Sequence, residues 1–86
     1  MNGHQMKIYV KIFPIAGVSD AAQEMEVTLA EGKLSELITL LQNRIGSDLS
    51  ERSIMLLHNG QSLNIDDDVI LTEGDRVWAM PRLSGG

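Results

Sequence analysis

The sequence predicts an α+β domain in which one mixed sheet wraps around a single helix. Three observations carry this: a strictly alternating run at 6–13, one amphipathic stripe of helical period, and further short apolar runs bounded by turn residues. With 86 residues the chain makes one domain, large enough to bury a modest core without staples. Residues 1–5 are expected to form a disordered lead, 6–81 the folded domain and 82–86 a flexible tail.

In "MKIYVKIFPI", Met6, Ile8, Val10 and Ile12 fall on one face, and Lys7, Tyr9, Lys11 and Phe13 on the other. This is a strand with its even positions inward, and Pro14 limits how far the ladder runs. "AGVSD" is a connection, and "EMEVTL" a shorter strand with Met25, Val27 and Leu29 inward. The period then changes. Leu34, Leu37, Ile38, Leu41 and Ile45 follow the stripe of an amphipathic helix, with Gly32 as its N-cap, Glu31 at its positive start and Gly46 as its C-terminal cap. "SDLSERS" is a polar connection. "IMLLH" is a short strand, and "NG" a hairpin turn whose two residues accept positive φ. "QSLN" is the brief return. "IDDDVILTEGD" is a polar crossing with a turn at Glu73, Gly74 and Asp75, and "RVWAM" is the last strand, closed by Pro81.

A helix this short and one-sided buries its stripe only by lying across a sheet. The first two strands form a hairpin, the strand after the helix returns beside it, and the last strand enters the middle next to the first. That arrangement is the β-grasp, the ubiquitin-like architecture.

Composition excludes several classes of function. The chain holds no cysteine, which removes a disulfide scaffold, a thiolate metal site and a cysteine nucleophile. A net charge of −5 argues against nucleic acid, whose phosphates call for clustered cations. No apolar run reaches the length of a membrane span, and "MNGHQ" lacks the features of a secretory signal, so the expected address is the cytoplasm and the free chain a monomer. Neither His4 nor His58 has catalytic or metal-ligand spacing around it, and "DDD" at 66–68 reads as a solvated acidic turn. No glycine loop cradles a phosphate. No catalytic residue and no metal site is expected, and the chain is not expected to be an enzyme.

The segment "GDRVWAMPRLSGG" resembles the closing segment of ubiquitin-like sulfur carriers of the MoaD and ThiS type, with its Gly-Asp turn, alternating strand, proline and terminal Gly-Gly. "LLHNGQSL" and "VKIFPIAG" resemble the preceding hairpin and the opening strand, so the likeness runs from Met6 onward. It lies closer to MoaD, the small subunit of molybdopterin synthase, by the longer hairpin connection and by Pro81. One departure is Pro81-Arg82, where MoaD-like tails often carry two prolines. The resemblance implies that a MoeB- or ThiF-like activating enzyme, using ATP, adenylates the Gly86 carboxylate, and that a thiocarboxylate then forms there to donate sulfur. It implies no cofactor bound by this chain and a MoaE-like large subunit, or another sulfur acceptor, as a further partner. Gly85 keeps the tail slender, since any β-carbon would clash in a narrow channel.

Parity predicts a docking surface as well. Lys7 and Lys11 mark the odd positions of the first strand as outward, and Arg76 marks the even positions of the last. Tyr9, Phe13, Trp78 and Met80 then share the outer face, although they include every aromatic residue of the chain. Aromatics, Met and Arg are enriched at interfaces. Tyr9, Phe13, Arg76, Trp78, Met80, Pro81, Arg82 and Leu83 are therefore the expected partner-binding residues. The competing reading is that a loop folds over this patch or that an inward slip buries Trp78. The acidic balance itself suggests electrostatic steering to a basic partner.

Two other functions share these features. A ubiquitin-like modifier would use the same activation and join Gly86 to a lysine, and a non-catalytic interaction domain would work through its sheet face alone.

Overall fold

The computed structural model describes residues 5–15, 20–46 and 54–82. Its elements run β1 (Met6–Ile12), β2 (Gln23–Leu29), α1 (Leu34–Ile45), β3 (Ile54–His58), β4 (Gln61–Leu63) and β5 (Arg76–Pro81). They form one five-stranded sheet in the order β2-β1-β5-β3-β4. The two central strands, β1 and β5, are parallel, with Val10 opposite Val77 and Ile12 opposite Ala79. The other neighbours are antiparallel. This is the mixed β-grasp sheet that the sequence predicts.

The alternation in β1 settles which face is core. Ile8, Val10 and Ile12 are buried, and they cluster with Leu56, Val77 and Ala79 of the sheet and Leu34, Leu37, Leu41 and Ile45 of the helix. Met25 and Val27 face the same way but stay half-buried, because β2 is an edge strand with a neighbour on one side only. Phe13 N–H donates to Ala79 O at 2.8 Å just past the end of β1, and Ile15 is buried beyond Pro14. The apolar pattern thus outlasts the strand.

The helix begins differently from the sequence expectation. Its N-cap is Lys33, in extended conformation, and not Gly32. A lysine offers no acceptor, so Glu36, three residues on, does the capping: its carboxylate accepts the N–H groups of Ala30, Glu31 and Lys33 at 2.9, 2.9 and 3.0 Å. Gly32 serves another purpose. Its φ is +76°, and a β-carbon there would stand 2.7 Å from Leu71 O. Leu71 N–H donates to Gly32 O at 2.7 Å and Leu34 N–H to Val69 O at 3.0 Å, so the helix start is pinned to the 65–75 crossing. Gly46 closes the helix as expected, with φ 88° and its N–H on Gln42 O at 2.7 Å.

That crossing is less polar in role than in composition. Leu71 is fully buried, and Ile65 and Val69 pack against the core. The expected lead (all but Gln5), residues 16–19 of the first connection, the whole 47–53 connection, and the expected tail beyond Arg82, with Leu83, Gly85 and Gly86, lie outside the described residues.

Candidate functional site: the outer face of the sheet

Because successive strand residues alternate faces, burying Val77 and Ala79 turns Arg76, Trp78 and Met80 outward. The same rule turns Lys7, Tyr9 and Lys11 outward from β1. Parallel pairing sets Arg76 opposite Tyr9 and Trp78 opposite Lys11. Tyr9 and Trp78 are 42% and 43% exposed, so neither is slipped into the core. Phe13 and Met80 are half-buried. The Phe13 and Trp78 rings meet edge to face, with centroids 5.3 Å apart and planes at 62°, a geometry aromatic pairs favour. Lys11 Nζ stands 4.9 Å from the centre of the Phe13 ring, a cation over its negative face.

Sequence reasoning missed the contribution of β3. Antiparallel pairing puts Met55 opposite Met80 and Leu57 opposite Trp78. Ile54 and Leu56 are buried, so Met55 and Leu57 turn outward and extend the apolar strip. The stretch "IMLL" has no polar residue to mark a face and the run's one polar side chain, His58, stands at its end, so only its neighbours could assign one. On the other flank, Lys7 pairs with Glu26 at 3.9 Å and Lys11 with Glu24 at 3.8 Å, both at the surface.

The C-terminal end of β5 lies at the centre of this sheet. Pro81 is the last residue of β5 and lies opposite Ile54. Arg82 is exposed, beside a crevice that Ile54, Leu63, Asp66 and Asp67 also line. The strip of apolar side chains therefore runs along β5 toward its C-terminal end.

A polar network fixes the opposite end of β5, and nothing in the spacing of the sequence announces it. His58 Nε2 lies 2.7 Å from Asp75 Oδ2. An ionised carboxylate only accepts, so Nε2 donates. Asp75 also accepts from Thr72 N–H at 2.9 Å, Thr72 Oγ1 at 3.1 Å and Asn59 Nδ2 at 3.3 Å. Burial alone pushes the Asp75 carboxyl up, but the Thr72 amide, His58, Asn59 and the Thr72 hydroxyl outweigh it and hold the pKa down to about 2. Asn59, at φ 49°, exchanges hydrogen bonds with the Arg76 backbone at 2.8 and 2.9 Å. The turn also grips β1: Lys7 N–H donates to Glu73 Oε1 at 2.8 Å and Gly74 N–H to Lys7 O at 2.9 Å. These bonds hold Arg76 and Tyr9 in register without touching the apolar strip.

Among the described residues no group of three acidic or imidazole side chains is placed to hold a metal ion, and no helix is long and apolar enough to cross a membrane.

Comparison with solved structures matches this architecture. A Haloferax volcanii protein known from its solution structure superposes with a TM-score of 0.73, over 100% of this chain and 92% of that one, at 17% identity. SAMP1 from Haloferax volcanii superposes with a TM-score of 0.59, over 93% and 99%, at 19% identity. The class is thus a ubiquitin-like β-grasp protein. No family model matches the sequence. A molybdopterin synthase sulfur carrier subunit from Anopheles gambiae is 30% identical over 83 residues, 95% of this chain and 90% of that protein. The chain belongs to the family of molybdopterin synthase sulfur carrier subunits.

Proposed function

We propose that this chain is a sulfur carrier whose working group is the Gly86 carboxylate. The observation that carries the reading is the near full-length relationship to a molybdopterin synthase sulfur carrier subunit, together with the Gly85-Gly86 end of the sequence. A carboxylate is a poor electrophile. A MoeB- or ThiF-like activating enzyme, using ATP, forms the acyl-adenylate and releases pyrophosphate. A persulfide sulfur then displaces AMP, and a thiol cleaves the resulting acyl disulfide, being itself oxidised, to leave the thiocarboxylate. This chain supplies the electrophilic carbon and no catalytic group, so it acts as a co-substrate. Gly85 lets the backbone enter a narrow channel where a β-carbon would clash.

In this reading Tyr9, Phe13, Trp78 and Met80 dock on the activating enzyme and on a MoaE-like large subunit in turn. Pro81, Arg82 and Leu83 form the root that lets the tail reach each active site, and the work takes place in the cytoplasm. Exposed aromatic and Met side chains on one face, beside the root of the tail, support that division of labour.

The test is the intact mass of the protein after incubation with ATP, an activating enzyme and a sulfur donor. The expected result is the sulfur-for-oxygen increment, absent from a chain lacking Gly86. An unchanged mass with several activating enzymes would overturn the carrier reading and favour an interaction domain. A covalent adduct on a target lysine would identify a modifier.

A further inference from the structure

The charges of the chain are unevenly placed. Its outer sheet face carries Lys7, Lys11 and Arg76 against Glu24 and Glu26. The rest of the sequence holds four cations and ten carboxylates. An acidic protein therefore presents a locally cationic docking face. Beyond a screening length of about 8 Å at physiological salt, exposed charges are largely screened, so a docked partner meets the face and not the net charge.

Within that face, one cation stands apart. Lys7 and Lys11 are matched by Glu26 and Glu24. Among the described residues, no carboxylate lies within ion-pair reach of the Arg76 guanidinium. It sits between two shallow depressions, one shared with Tyr9 and Glu26, the other with Leu57 and Gly60, and Trp78 borders both. Its backbone is held from both sides by Asn59, so its starting direction is fixed before any partner arrives. A guanidinium is the side chain whose planar fork matches a carboxylate in two parallel hydrogen bonds.

We propose that Arg76 is the specificity-determining residue of this face and that it reads an Asp or Glu carboxylate set beside an apolar contact on the partner protein. The apolar contact seats on Trp78 and Leu57, and the carboxylate completes the one unmatched cation between them. Lys7 and Lys11 do not compete, because their partners are already in place on β2. This rests on the docking role proposed above and adds the chemistry of what docks. It also separates the whole chain from the contact: the net charge is −5, while the contact itself selects an acid.

The test uses the fluorescence of Trp78, the chain's only tryptophan, in titrations of the intact protein with a purified activating enzyme and a purified molybdopterin synthase large subunit. Arg76→Glu should weaken binding to at least one of them by about tenfold or more, and Arg76→Lys by less, since it keeps the charge and loses the fork. Exchanging one partner Asp or Glu for Arg should restore binding to Arg76→Glu and weaken it for the unaltered chain. Wild-type affinity for Arg76→Glu, with Leu57→Ala binding poorly, would overturn the assignment of Arg76 while leaving the docking face standing. Wild-type affinity for both variants would overturn the docking face itself. Circular dichroism of each variant checks that the fold is retained.

Discussion

The His58 imidazole and the Asp75 carboxylate meet at 2.7 Å across a sequence separation of 17 residues. The contact joins the end of β3 to the turn that launches β5, with 22% and 14% of the two side chains exposed. It is the part of the structure that sets where β5 begins, and through β5 where Arg76 and Trp78 stand.

Acid should weaken the fold through Asp75. Its folded pKa, about 2, lies below the ordinary 3.8. The unfolded chain therefore binds the proton first as pH falls, and the contribution is complete above about pH 4 and lost progressively toward pH 2. Asp75→Asn keeps the shape, lowers stability at neutral pH and flattens this acid limb. Urea midpoints measured from pH 6 down to pH 2 check it: parallel curves for the two proteins would contradict the role of the carboxylate.

Gly32 and Gly46 both have positive φ, yet only Gly32 faces a backbone oxygen at 2.7 Å, and nothing lies within 4 Å of a β-carbon at Gly46. Gly46→Ala should cost about 1 kcal/mol, the strain of a left-handed conformation alone. Gly32→Ala adds a steric conflict with Leu71 and should cost clearly more, about 2–3 kcal/mol. Chemical denaturation of the pair separates strain from crowding, and equal losses would refute the distinction.

Truncating Leu71 tests whether the crossing belongs to the core. Its side chain is fully buried in a segment with no regular structure around it. Leu71→Ala should cost about 3 kcal/mol, in the range for buried leucines. A loss below about 1 kcal/mol, the scale of a surface change, would show that the crossing adapts without cost.

The helix start depends on one carboxylate. Glu36 is held below its ordinary pKa, first by the Lys33 N–H, against burial, and with help from the Glu31 and Ala30 N–H groups. Glu36→Ala leaves those donors to water and should lower the thermal midpoint by about 5 °C. Glu36→Gln, which keeps an acceptor, should lose less. Thermal melts by circular dichroism rank the three proteins, and an order other than this would place the capping elsewhere.

Docking has its own optical signature. Trp78 is 43% exposed and borders both depressions of the outer face. Binding of an activating enzyme should shift its emission to the blue and protect it from acrylamide. An unshifted spectrum at saturating partner would move the interface to another face.

What the sequence determined by itself is the set of elements and the sidedness of the strands it patterns clearly. Periods of 2.0 and 3.6 residues are local facts, so β1 and α1 could be read from their own residues, and the glycines at 46 and 60 from the turns they close. The outer position of Tyr9 and Trp78 followed from lysine and arginine parity for the same reason. The tertiary structure decided what depends on neighbours. It gave "IMLLH" its faces through β5, buried Leu71 under the helix start, moved the cap from Gly32 to Lys33 and Glu36, and brought His58 to Asp75. Each of these joins residues far apart in the chain, or a backbone angle set by such a contact, and no local period encodes them.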